Sequence, residues 1–261
     1  MRPRLQLLDE ALIDRILDEA RDVLAQIGVE IQNDGVRTML ADHGAPEDEA
    51  THRVRLPGDL IDEALASAPA AIRLYDVLGA QTHDLSGSNV HFTPGSAAIL
   101  VLDAASGTMR PPSTADYIRH AKVLSGLQNI AAQSTAMIPA DVSEKIQDSY
   151  RLFLSLLYGE KPVVTGAFTI ESFDVMRDMQ VAIRGSAQAL REKPLTIFSC
   201  CPTSPLKWSD VTSQNLVDCA RAGIPAELIS MPLSGFMAPA TLVGSLVAHA
   251  TVKTQAKHAA V

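Results

Sequence analysis

The chain has 261 residues, a formal net charge of −8, and is 47% hydrophobic with 20% charged residues. That is enough apolar surface for one large or two modest domains and excludes a disordered chain, while the acidic balance argues against a nucleic-acid or anionic-membrane surface. No apolar run reaches the roughly 18–20 residues needed to span a bilayer, the opening Met1-Arg-Pro-Arg-Leu lacks a signal-peptide core, and three cysteines make no disulfide framework, so a cytoplasmic protein is expected.

Residues 8–27 read as a helix, with Leu12, Ile16, Ala20, Val23, Leu24 and Ile27 three or four apart on one apolar stripe and Gly28 closing it. Asp34 is the expected N-cap of a second helix ending near His43-Gly44. The acidic stretch Glu47-Asp48-Glu49 reads as a solvated loop. Val54-Arg-Leu56 reads as a short strand and residues 60–68 as a third helix, stopped by Pro69. Strand-like pieces then alternate with glycine turns: residues 72–75, Asp84-Leu85, Val90-His-Phe92 and residues 99–102, with an Asp103-Ala-Ala-Ser-Gly107 turn. Residues 1–111 are therefore expected to form an α+β region.

Beyond Pro111-Pro112, where Ser113 or Thr114 caps a helix to Ser125, the chain repeats itself. Four short apolar runs begin at Ile130, Val163, Leu195 and Ala226, roughly 31–33 residues apart, the length of one strand and its crossover helix. Glu160-Lys-Pro162 and Glu192-Lys-Pro194 announce two of them and Gly223-Ile-Pro225 a third; proline ends a helix and pushes the preceding residue towards extended geometry. The predicted units are strand 129–134 with helix 143–158, strand 162–167 with helix 170–184, strand 195–200 with helix 209–222, and strand 226–231 with helix 238–257. The last helix carries Leu242, Leu246, His249, Val252 and Lys253 at helical spacing. The expected fold class is α/β: a partial (β/α)8 TIM barrel of about four βα units over residues 112–261, preceded by the α+β region. A closed barrel needs eight strands, so the expectation is a fragment, or a half-barrel whose open edge invites association into a homo-oligomer.

Barrel chemistry sits at the C-terminal strand ends. Here these read Gln133-Ser-Thr135, Thr165-Gly-Ala-Phe168, the stretch from Ser199 to Leu206, and the stretch from Ser230 to Gly235: small, neutral, hydroxyl-rich, with no acid, base or metal cluster. Cys200 and Cys201 read either as nucleophiles or as buried inert thiols, with no His or Lys nearby in sequence. No histidine pair has metal-ligand spacing. His91 precedes Phe92-Thr-Pro-Gly-Ser96, read either as a tight turn approaching a ligand or as a structural turn. His120 and His249 read as packing or surface residues. Phe92, Phe168, Trp208 and Phe236 lie beside rim turns, either as ordinary core or as an aromatic box for a quaternary ammonium.

Several motifs in order carry a resemblance: Phe92-Thr-Pro-Gly-Ser-Ala-Ala, Leu102-Asp-Ala-Ala-Ser-Gly-Thr-Met-Arg-Pro111, Pro139-Ala-Asp-Val142, Leu190-Arg-Glu-Lys-Pro194, Ser204-Pro-Leu206, Gly223-Ile-Pro225, and the run from Met231 to Leu242. Together with Ile27-Gly-Val29 and Leu56-Pro-Gly-Asp-Leu60 they resemble the trimethylamine methyltransferase family over nearly the whole chain. The resemblance implies a (β/α)8 barrel that takes a methyl group from a methylated amine and passes it to the cobalt of a separate corrinoid protein. It implies no cofactor bound directly, and two partners: the corrinoid (cobalamin) protein and a small methylated amine. Some members use pyrrolysine; many lack it and act on quaternary amines such as glycine betaine. The pyrrolysine position would fall past Val261. Strand-end position and motif membership together give the expected substrate contacts Ser96, Gln133, Thr165, Ser204, Met231 and Ser234, with Phe92, Phe168 and Phe236 as cage aromatics. No acid or base is assigned and no metal site is expected. The competing readings are a non-catalytic half-barrel or interaction module of the same family, and a lyase- or aldolase-type barrel, which would need a strand-end lysine or metal site.

Overall fold

A computed structural model describes residues 6–256, with side chains through residue 252. The N-terminal pentapeptide and the side chain of Lys253 lie outside the described residues.

In chain order, α1 spans Glu10–Asp22, and its N-cap Asp9 accepts the Leu12 N–H at 2.8 Å. Ile16, Ala20 and Leu24 are buried four apart, as the stripe predicts. The helix then widens into a π turn, Val23–Ile27, before Gly28 at φ 71°. The extra residue in that turn swings Ile27 off the stripe, and it is 52% exposed. Strand β1 is Val29–Ile31. Helix α2, Asp34–Asp42, is capped by Asn33 instead of the expected Asp34: the Asn33 amide oxygen accepts the Val36 N–H at 2.9 Å. Strands β2 (Glu47–Asp48) and β3 (Arg53–Val54) pair antiparallel. Glu47 and Asp48 of the acidic stretch are thus a strand and not a loop, with Glu47 paired to Arg37 at 2.6 Å, while Glu49 lies in an exposed turn.

Helix α3 is Gly58–Ser67; β4 (Arg73–Tyr75) and β5 (Gln81–Asp84) form one hairpin, and β6 (Val101–Leu102) and β7 (Met109–Arg110) another. Val90-His-Phe92 forms no strand. Helix α4, Thr114–Gly126, starts in a capping box between Ser113 and Asp116. Then follow β8 (Gln133–Ser134), α5 (Gln147–Tyr158), β9 (Val163–Thr165), α6 (Glu171–Arg184), a short α7 (Ala187–Glu192), β10 (Thr196–Ser199), β11 (Lys207–Trp208), α8 (Asp210–Ala222), β12 (Ala226–Glu227) and α9 (Leu242–Ala256). Among the described residues no helix is long and apolar enough to cross a membrane.

The chain divides into two compact units that interleave in sequence: residues 1–68, 201–217 and 228–261, and residues 69–200 and 218–227. The first unit holds a four-stranded sheet in the order β11-β1-β3-β2. Here β11 joins β1 in parallel, with Lys207 bound to Glu30 at 2.8 Å. Trp208, expected near a rim, is a core residue of this sheet at 5% exposure, since its strand pairs with β1.

The second unit holds the four strands of the repeat, while α9, predicted as its last helix, falls in the first. The second unit's sheet runs β8-β9-β10-β12, all parallel, neighbours in sequence being neighbours in space. This is a mixed α/β unit built on a parallel four-stranded sheet. The strands are shorter than the predicted spans 129–134, 162–167, 195–200 and 226–231, and β12 stops at Glu227.

Candidate functional site

The pleat of the parallel sheet sorts its residues into two faces, because side chains alternate along each strand. Register aligns Gln133, Val163 and Thr196 in one row, and Thr165 with Phe198 in another on the same face. That face meets the helices. The Phe198 ring lies 5.1 Å from that of Phe173 on α6, Thr196 Oγ1 donates to Gln180 Oε1 at 2.7 Å, and Gln133 Nε2 donates to the Ser155 carbonyl of α5 at 3.4 Å. Thr165 Oγ1 accepts from Thr135 Oγ1 at 3.3 Å within the same layer. Two of the expected substrate contacts, Gln133 and Thr165, are therefore buried against helices.

The opposite face carries Ser134, Val164, Ile197, Ser199 and Glu227 in register. Residues 92–98 run beside its first strand. The Ala131 N–H donates to the Phe92 carbonyl, the Ala98 N–H to that of Ala136 and the Ile138 N–H to that of Ala98, at 2.8–2.9 Å. Ser134 Oγ donates to the Gly95 carbonyl at 2.9 Å. The Phe92-Thr-Pro-Gly-Ser96 segment is thus an extended flank of the sheet and not a tight turn, with Phe92 and Ser96 exposed. His91 is held back on the β4–β5 hairpin, its ring 4.5 Å from that of His83 and its Nε2 3.2 Å from the Asp84 carbonyl.

The strand ends are not purely neutral. Ser199 Oγ donates to Glu227 Oε1 at 2.6 Å, both side chains half-buried. Beyond β9, the fully buried Arg151 pairs with Asp148 at 2.6 Å and donates to the Thr135 carbonyl at 3.2 Å. The second Asp148 oxygen accepts the Phe168 N–H at 2.6 Å, and the Arg151 guanidinium carbon stands 4.9 Å over the Phe168 ring. This cluster fixes the loop that carries Phe168, and a cation of the chain itself already covers one face of that ring.

Sequence reading missed this cluster because Asp148 and Arg151 sit on a helix, three residues apart, away from the strand-end motifs. Glu227 was legible as an acid inside an apolar run, a signal with a physical meaning, since a strand interior hosts a carboxylate only where a partner meets it.

The remaining expected contacts fall in the first unit. Ser204 lies in the turn closed by paired backbone bonds between Thr203 and Lys207, at 2.8 and 3.1 Å. Ser234 Oγ lies 2.6 Å from Ser245 Oγ, while Met231 and Phe236 are exposed, Phe236 at 86%. The nine expected contacts thus divide between the units: Phe92, Ser96, Gln133, Thr165 and Phe168 in one, Ser204, Met231, Ser234 and Phe236 in the other.

Cys200 and Cys219 are buried, and burial followed by the neighbouring Cys200 pushes the Cys219 thiol well above its ordinary range, which keeps it protonated and unreactive. His120 titrates below its usual range through burial, as a packed side chain does.

A family model described as trimethylamine methyltransferase (MTTB) matches residues 1–253. The chain belongs to the MTTB family. It is 27% identical over 228 residues to trimethylamine methyltransferase MttB of Desulfitobacterium hafniense, covering 87% of this chain and 46% of that protein. It is 23% identical over 245 residues to a glycine betaine methyltransferase from another strain of that species, covering 94% and 50%. Against trimethylamine methyltransferase MttB1 of Methanosarcina acetivorans the identity is 28% over 233 residues, covering 87% and 47%. Among its MTTB relatives, then, the chain spans about half the length of the curated proteins it matches.

Proposed function

We propose that this chain is part of a methyltransferase that moves a methyl group from a methylated or quaternary amine, of the trimethylamine or glycine betaine kind, to the cobalt of a corrinoid protein. The observation that carries the reading is the MTTB match over residues 1–253. The sheet fits it: four parallel strands in sequential order are what half of a (β/α)8 barrel requires.

The cobalt, carried by the separate corrinoid protein, would supply the nucleophile. The residues of this chain would bind and orient the donor and exclude water, a task of positioning and electrostatics that needs no proton abstraction. A cationic donor suits the sheet face away from the helices, where the buried, apolar Val164 and Ile197 share parity with the half-buried Ser199–Glu227 pair. No residue is assigned to the corrinoid. In the second unit the exposed Phe92, Ser96 and Phe168 stay proposed donor contacts; in the first, the exposed Met231, Ser234 and Phe236 and the half-buried Ser204 stay proposed contacts of their own. Gln133 and Thr165 also stay proposed contacts, both buried, Gln133 bonded to the Ser155 carbonyl of α5 and Thr165 to Thr135.

A thermal-shift panel of trimethylamine, glycine betaine, proline betaine and carnitine tests the donor class. A ligand at about 100 times its Kd adds roughly 2.7 kcal/mol of apparent stability. A panel in which no methylated amine raises Tm would contradict the reading.

A further inference from the structure

We propose that Glu227, oriented by Ser199, is the counter-charge that makes this site selective for a methylated ammonium over an uncharged molecule of the same shape. The inference rests on the function proposed above and adds to it a named specificity residue.

Three observations converge on it. Register places Glu227 beside Ser199 at the C-terminal end of the sheet, on the same face as Ile197 and Val164 and opposite the face that meets the helices. The Ser199 hydroxyl occupies one oxygen of the carboxylate at 2.6 Å and so fixes its direction. Among the described residues Glu227 forms no ion pair, whereas Glu30, Glu47 and Asp148 each hold a Lys or Arg within 2.8 Å. A half-buried carboxylate with one hydroxyl donor has most of its acceptor capacity unfilled and its charge unbalanced. Such a group favours a cation from outside the chain.

The surroundings narrow which cation. Ca²⁺ takes six to eight oxygen ligands, and one carboxylate with one hydroxyl supplies too few. Among the described residues no three His, Cys, Asp or Glu side chains gather to hold a metal. A primary ammonium demands hydrogen-bond acceptors on three sides. A quaternary ammonium has no N–H at all. It needs a diffuse negative charge on one side and apolar surface beside it; Glu227 supplies the charge, and Ile197, diagonal to it on the same face, the apolar neighbour.

Isothermal titration on the full chain tests this, with choline as the quaternary probe and 3,3-dimethylbutanol, its uncharged carbon analogue, as the shape control. The wild type is expected to prefer choline. Glu227→Gln should weaken choline binding at least tenfold and leave 3,3-dimethylbutanol unchanged, with the far-UV spectrum and urea midpoint confirming the fold. Glu227→Asp, which keeps the charge but shortens its reach, should retain part of the preference. Ser199→Ala, which frees the carboxylate, should lose part of it. Choline binding equal in Glu227→Gln and wild type would overturn the inference and leave the proposed function standing. A folded wild type that binds no methylated ammonium would overturn both.

Discussion

The buried pair of Asp148 and Arg151 offers the sharpest energetic test of the sheet's rim. Both side chains are almost wholly enclosed, at 5% and 2% exposure, and meet at 2.6 Å. Asp148→Ala would remove the only acidic partner that Arg151 has among the described ion pairs, and would also release the Phe168 N–H. Leaving one buried charge uncompensated costs about 3–5 kcal/mol, against a whole-domain stability on the order of 5–15 kcal/mol. At about 2–4 °C per kcal/mol, Tm should fall by roughly 6–20 °C. Replacing both residues with apolar ones, Asp148→Leu with Arg151→Met, removes the uncompensated charge and should cost less than Asp148→Ala alone. Urea unfolding of the two single variants, Asp148→Leu and Arg151→Met, together with the double completes a mutant cycle, and hydrogen exchange at the Phe168 amide reads the loop directly. The expected coupling exceeds 1 kcal/mol, with lost protection at Phe168 in Asp148→Ala. Additive single effects, or a loss under 1 kcal/mol in Asp148→Ala, would refute the argument.

Gly28→Ala should destabilise the first unit by about 1–3 kcal/mol, because Gly28 sits at φ 71° and an added Cβ would overlap the Val54 carbonyl oxygen; an unchanged urea midpoint would contradict this. His83 has its pKa pushed down to about 4, first by burial and then by the neighbouring His91. The unfolded chain therefore takes up the proton first, so stability contributed by neutral His83 is full above pH 6.5 and is lost as pH falls towards 4. His83→Phe should flatten the urea midpoint across that window, and an undiminished slope would count against the buried imidazole. Iodoacetamide at pH 7.5 should leave Cys219 unmodified in the folded chain, as its raised pKa and burial require; rapid native-state alkylation there, read by peptide mass, would show otherwise.

The repeat was readable because proline and glycine mark each strand start and the apolar runs recur at unit spacing; the four segments do lie parallel and in sequence order. Parity within each strand was not readable. A run such as Val163-Val-Thr165 is buried throughout, so hydrophobicity gives no clue to which residues face the helices. That single-residue ambiguity hid which of Gln133, Thr165, Ser199 and Glu227 share a face of the sheet. Long-range pairing was equally hidden. Lys207-Trp208 pairs with β1 some 177 residues earlier in sequence, and only the Glu30–Lys207 charge complementarity hints at it. The N-terminal helices were legible from capping and periodicity, apart from the π turn at Val23–Ile27, which no residue type announces.

Methyl transfer itself is the most direct test of the account. The full-length protein, a reduced corrinoid protein and glycine betaine or trimethylamine are combined, and the absorbance of Co(I) is followed alongside the demethylated amine. The account predicts methyl-cobalt and demethylated amine in equal amounts, each requiring all three components. Demethylation in the absence of the corrinoid protein, or a Co(I) spectrum unchanged by every methylated amine, would contradict it.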